Sequence, residues 1–221
     1  MGIQDNGALG GFRGKSGANI GRRVMGQNIV GPLPHPSTKP RTALQVFQQD
    51  KFGMLNSVLE RIVPLLRVGF KKSTKRNTTS NAAYSYNYDR VYSTVEGDLT
   101  FDFSKLAYSK GSVATPNCPS VMLVESDGEI AGDVEAMVGV AFSWLPERES
   151  EFNRVTDLAS FLVYNPDKRE GTIKQNVVSR GAFGYVIDVP AELLQGRMYC
   201  YMSFASKDGK LVGDSVYVGE L

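Results

Sequence analysis

Three regimes of apolar and polar spacing divide the chain. Over residues 1–41 apolar residues come in short runs between glycines at 2, 7, 10, 11, 14, 17, 21, 26 and 31. Each internal glycine would cost a helix about 1 kcal/mol, so the pattern excludes a helix and predicts an extended arm. Ala18 to Ile20, Val24-Met25 and Asn28 to Val30 are expected to pair as narrow strands around a turn at Gly21-Arg22-Arg23. Pro32, Pro34, Pro36 and Pro40 then predict a stiff linker without backbone donors at those points. Such an arm cannot bury a core alone and is expected to gain order against another surface.

The second regime has helical spacing. Thr42 and Gln45 stand at the N-cap and N3 spacing of a capping box, and Leu44, Phe47, Leu55, Val58, Leu59, Ile62 and Leu66 recur at steps of three and four. Lys51 interrupts the stripe and Gly53 weakens its middle. Pro64 removes the bond to the Glu60 carbonyl and predicts a kink, with the helical region ending before Gly69. Tyr84, Tyr86 and Tyr88 alternate as in a strand, while their spacing to Val91 and Tyr92 also fits a short helix. Leu99, Phe101 and Phe103 predict a half-buried strand, and Leu106-Ala107-Tyr108 its continuation in a sheet before Gly111.

From Pro119 onward short strands follow one another. They are predicted at Val121 to Val124, Glu135 to Trp144, Ala159 to Tyr164, Thr172 to Val178, Phe183 to Val189, Met198 to Phe204 and Val212 to Val218. Turn signals such as Asp127-Gly128, Asn165-Pro166-Asp167 and Lys207-Asp208-Gly209 separate them. This spacing predicts an immunoglobulin or fibronectin type III-like β-sandwich with Trp144 as its core aromatic. The fold class is therefore mainly β: an extended, basic, glycine-rich arm over 1–41, a kinked helix with short strands over 42–117, and a β-sandwich over 118–221.

Charge sharpens the division. Residues 1–80 hold 13 basic and three acidic side chains, a net +10, and residues 81–221 hold 12 basic and 20 acidic ones, a net −8. The basic part is suited to a polyanion, or to the acidic part of a neighbouring copy. Cys118 and Cys200 make no CxxC pair, and both are expected to be reduced, Cys200 in the core. The N-terminal MGIQDNGALGG lacks a secretory h-region, and Asn6 stands where myristoylation needs Ser or Thr. No apolar run approaches the roughly 18 residues of a membrane span, so the expectation is a chain made in the cytoplasm.

Catalytic constellations are hard to find. Gly14-Lys15-Ser16 resembles the end of a P-loop, but Leu9 occupies the position of its first glycine, and no strand-to-helix switch surrounds it. His35 is the one histidine, which excludes histidine triads and multi-histidine metal sites. Glu147, Glu149 and Glu151 read as an exposed loop. The expectation is therefore a non-enzyme with no catalytic residue, metal or cofactor. Arg13, Lys15, Arg22, Arg23, Arg41, Lys71, Lys72, Lys75 and Arg76 remain as candidate contacts for assembly or for a polyanion, with Phe12 and the tyrosines near 84 to 92 as stacking surfaces.

Seven ordered motifs carry a resemblance over nearly the whole chain: GGFRGKSG (10–17), IGRRVMG (20–26), KPRTALQVFQQDKF (39–52), VGF (68–70), SNAAYSYN (80–87), LVYNP (162–166) and SVYVG (215–219). The chain resembles an uncharacterised family common in Bacteroidetes and their mobile elements. It departs from the family pattern at Val24-Met25, where Trp-Lys is common, at Ser80, where Phe is usual, and at Asp50, where Arg is common. The resemblance implies no established activity or active site. The KPRTALQVFQQDKF segment is also similar to phage-encoded proteins with an arm, a helix and an immunoglobulin-like module. The resulting expectation is a self-assembling structural subunit of a phage-like particle, tail or filament, with itself and other virion proteins as partners. The alternative is a nucleic-acid-binding protein using the same basic residues.

Overall fold

The computed structural model describes residues 3–4, 10–24, 26–36, 38–71, 78–95, 98–124 and 137–221. Two compact units are present, Met1–Val46 and Phe47–Leu221. The first contains a four-stranded antiparallel sheet in the order β1 (Ile3–Gln4), β2 (Phe12–Ser16), β3 (Asn19–Val24), β4 (Gln27–Pro32). Gly21-Arg22-Arg23, expected as a turn, instead lies mid-strand opposite Val30, Ile29 and Asn28. The turns sit at Gly17 and Gly26, whose φ values of +57° and +82° suit glycine. Gly21 serves a close approach, because a Cβ there would lie 2.1 Å from the Phe12 carbonyl oxygen. It is the one fully buried residue among the described positions before Leu55, so this sheet has no core of its own.

The capping box forms as expected: Thr42 N–H donates to Gln45 Oε1 at 3.0 Å, and Gln45 N–H to Thr42 Oγ1 at 3.3 Å. Helix α1 (Ala43–Arg61) breaks at Ile62, and α2 (Val63–Gly69) follows with Pro64 in its first turn. There the proline's missing N–H is no loss, since first-turn donors have no helical partner. The helix runs through Gly69 rather than stopping before it. A Cβ on Gly69 would meet the Tyr108 carbonyl oxygen at 2.3 Å, so glycine lets this helix end rest on the 108–109 backbone.

The tyrosine-rich segment is a helix, α3 (Thr79–Asn87), capped by Thr78, whose side chain accepts from Asn81 N–H at 3.2 Å. A hairpin of β5 (Tyr92–Val95) and β6 (Asp98–Phe101) follows. Phe103, expected in that strand, instead begins a short 3₁₀ turn capped by Asp102. Leu106, Ala107 and Tyr108 are buried but join no sheet, contrary to the sequence pattern. Side chains from elsewhere take up their backbone groups.

The seven later strands are β7 (Asn117–Val124), β8 (Met137–Leu145), β9 (Leu158–Asn165), β10 (Glu170–Ser179), β11 (Gly184–Pro190), β12 (Tyr199–Ala205) and β13 (Val216–Glu220). The last starts later than expected, and Val212 makes only an isolated bridge to Ala205. The expected Asp127-Gly128 turn and the start of the second strand at Glu135 lie outside the described residues. Three strands form one sheet, β11-β8-β7, and four the other, β10-β9-β12-β13, in an immunoglobulin or fibronectin III-like sandwich. Trp144, Phe142, Phe161, Val163, Met202 and Phe204 fill the space between the sheets.

A second core lies on the other face of the four-stranded sheet. Leu162, Tyr164 and Tyr201 point away from the sandwich interior and pack against Leu55, Leu59, Ile62, Leu66 and Phe70 of the helical region. From Ala159 on, β9 is buried on both faces, and its sequence accordingly is a nearly unbroken apolar run. The unit thus has three layers: helices, four strands, three strands.

Candidate functional site

The family-like motifs can be followed to their structural positions first. Asn87, the last residue of SNAAYSYN, is fully buried, and its Nδ2 donates to the carbonyls of Ala83 and Ala107, both at 2.8 Å. Its Oδ1 accepts from Ala107 N–H at 2.8 Å. Asn165 of LVYNP donates to the Leu193 and Gln195 carbonyls at 2.7 and 2.9 Å and accepts from the N–H groups of Asp167 and Lys168. Ser215 of SVYVG accepts from Tyr108 N–H at 2.9 Å and Ser109 N–H at 3.3 Å. Besides the Ala83 carbonyl of α3, the groups these side chains bind belong to loop backbone at 107–109, 167–168, 193 and 195. The motifs pin loops.

Other buried polar groups do the same. The Tyr108 hydroxyl donates to the Ser160 carbonyl at 3.1 Å and lies 3.0 Å from Ser203 Oγ, and burial pushes its pKa upward. Arg180 is buried beside Asp157 at 3.6 Å, stacks 3.8 Å from the Phe204 ring centre, and donates to the Ala114 carbonyl at 2.6 Å. Desolvation lowers its pKa, opposed by Asp157. The Trp144 indole donates to the Arg180 carbonyl at 2.7 Å. Among the described residues no group of His, Cys, Asp and Glu side chains is arranged to hold a metal ion, and no helix is long and apolar enough to cross a membrane.

The nine basic candidates separate. Arg13 and Lys15 lie on β2 and Arg22 and Arg23 on β3, all four exposed. Register puts Lys15 opposite Ile20 and Arg22 opposite Ile29, so these two cations share one face with Ile20, Val24 and Ile29. Arg23 is on the opposite face, its Nε 3.4 Å from the Gly26 carbonyl, and Arg13 pairs with Ile3. Arg41 precedes α1, Lys71 follows α2, and both are exposed. Lys72, Lys75 and Arg76 lie outside the described residues.

A second half-apolar surface belongs to the three-stranded sheet. On its outer face Met122, Ala141 and Val186 form one cross-strand row, with Val124, Gly139 and Asp188 as the next. Met122 is 56% exposed and Val186 49% exposed, so the third layer carries an apolar strip open to solvent.

Sequence reasoning named the tyrosines near 84 to 92 but missed the cations that meet them. Lys51 Nζ lies 4.4 and 4.6 Å from the ring centres of Tyr88 and Tyr92. Arg90 and Lys110 lie 4.2 and 4.3 Å from the Tyr86 ring centre. Tyr92 also donates to the Lys51 carbonyl, and burial pushes its hydroxyl up to about 12. The spacing of Tyr86 and Arg90 at i and i+4 was a local signal for one of these pairs; Lys110 comes from a distant segment.

This is a helix-backed, immunoglobulin-like β-sandwich module with a separate, largely exposed N-terminal sheet. The chain belongs to the family of unknown function DUF6266, which matches residues 11–219. No curated protein and no solved structure matches it.

Proposed function

We propose that the chain is a non-enzymatic, self-assembling structural subunit whose N-terminal sheet docks on the three-stranded sheet of a neighbouring copy. The observation that carries this reading is the presence of two exposed, half-apolar sheet faces in one chain. One presents Ile20, Val24 and Ile29 with Lys15 and Arg22; the other presents Met122 and Val186 beside Asp188. The charge division supports the same pairing, since Glu125, Asp127, Glu129, Asp133 and Glu135 all fall in the sequence between β7 and β8, which holds no basic residue over 125–136. Docking of one surface on a different surface is heterologous, so it builds a ring or an open fibre according to the rotation between copies. The resemblance to phage-encoded proteins makes a phage-like particle, tail or filament the proposed setting.

Light scattering and electron microscopy of the full chain, of a form lacking residues 1–41, and of Met122→Lys/Val186→Lys test this reading. Assemblies are expected for the full chain at low salt and should be lost in both altered forms. A full-length protein that stays monomeric at high concentration and low salt would sink the idea.

A further inference from the structure

The helix-facing side of the four-stranded sheet changes character from one row to the next. Ile173, Leu162 and Tyr201 form one cross-strand row against the helices. In the next row Ser160 of β9 lies opposite Ser203 of β12, two small hydroxyls in place of leucine and tyrosine. On the other side of Ser160 the ladder is broken, because β10 shifts register between Lys174 and Val178 and Asn176 has a φ of +51°. There Ser160 Oγ accepts from Asn176 N–H at 3.0 Å. Gln175, two residues beyond Ile173, stands with Ser160 and Ser203 on the helix side.

Leu65, Val68 and Gly69 of α2 close over this polar row, and between them and the sheet a cavity of about 10 Å³ remains, with Gln175, Ser160, Ser203 and Tyr108 in its wall. That is about the least space that admits one water, roughly 10–15 Å³, and too little for a larger ligand. Gln175 Nε2 is buried and has no hydrogen-bond partner among the described residues, whereas a buried amide donor ordinarily has an acceptor. The wall holds acceptors to share. With the Tyr108 proton on the Ser160 carbonyl, the Ser203 hydroxyl donates to Tyr108 and keeps both lone pairs, and Ser160 Oγ keeps one beyond its bond to Asn176 N–H. We infer that this cavity binds one structural water, which accepts from Gln175 Nε2 and donates to Ser203 Oγ and Ser160 Oγ. Three bonds are about the usual number for a buried water. The water ties the irregular part of β10 to the two central strands beneath α2, at the one row where the helix-facing side of the sheet is polar.

The inference does not rest on self-assembly, since every residue of the site belongs to one copy. The full chain and Gln175→Met are crystallised, and their long-lived waters are counted in solution by oxygen-17 relaxation dispersion. In the parent crystal a water is expected about 2.7–3.2 Å from both Gln175 Nε2 and Ser203 Oγ. The exchange to methionine keeps the side-chain length and removes the donor, and Gln175 is only partly buried, so the fold tolerates it. Gln175→Met should lose that water from the crystal and about one long-lived water from the dispersion, with an unchanged urea midpoint. A Gln175 amide bonded directly to another protein group, with no density in the cavity, overturns the assignment. So does a water count that is equal in the two forms. The parent crystal decides the matter even where the variant fails to fold.

Discussion

Replacing Asn87 by alanine tests the idea that the family-like motifs act by pinning backbone. The side chain makes three hydrogen bonds of 2.8 Å in a fully buried setting. Ala83 keeps its place in the α3 ladder without it, but the N–H and the C=O of Ala107 both lose their partner. Each orphaned buried group costs about 1–3 kcal/mol, so the loss should be about 4 kcal/mol, within a span of about 2–6. For a chain of this size that lowers Tm by about 8–16 °C. Asn87→Asp should fare no better, because its second oxygen would face two carbonyls in place of a donor. Trp144, the sole tryptophan, reports unfolding of the 47–221 unit by fluorescence, and the urea midpoint should fall without a change in slope. A loss below about 1 kcal/mol for Asn87→Ala would refute the pinning argument.

Thiol chemistry should separate the two cysteines. Cys118 is exposed and Cys200 is buried, its thiol pushed up to about 12 by desolvation, so a thiol reagent should label one site in the native chain and two in denaturant. Rapid native labelling of Cys200 would contradict the packing of β12. In the 206–211 turn, the Ser206 hydroxyl, then the Lys210 N–H and ammonium, lower the Asp208 carboxyl to about 2. Because the folded value is depressed, its contribution is present above the ordinary value of 3.8 and is lost as pH falls from there through about 2. An NMR titration of the Asp208 carboxyl should show that midpoint, and Ser206→Ala should move it upward; a midpoint near 3.8 in the parent chain removes the effect.

Local signals were the most legible in the sequence. The Thr42 and Gln45 capping pair, the break forced near Pro64 and the seven strands of the sandwich all follow from neighbours in the chain. Gly21 was misread because glycine serves both turns and close approaches, and only the position of Phe12 across the sheet distinguishes them. Leu106 to Tyr108 looked like a strand because burial was legible and hydrogen-bond partners were not; those partners are Asn87 and Ser215, far away in the chain. Of the candidate surfaces, the cations of β2 and β3 were visible as composition, but sorting Lys15 and Arg22 from Arg23 required the register. The meeting of Lys110 with Tyr86 depends on the path of the intervening chain and left no local trace.

In the β10-β9-β12-β13 sheet the two central strands, β9 and β12, are buried on both faces, and this constrains how the gene can vary. Recombination that moved the sandwich without the helices would expose Leu162, Tyr164 and Tyr201 together, and a helix region transferred alone would lose the wall it packs on. The helices and the sandwich of the Phe47–Leu221 unit therefore keep their buried faces only when they stay together.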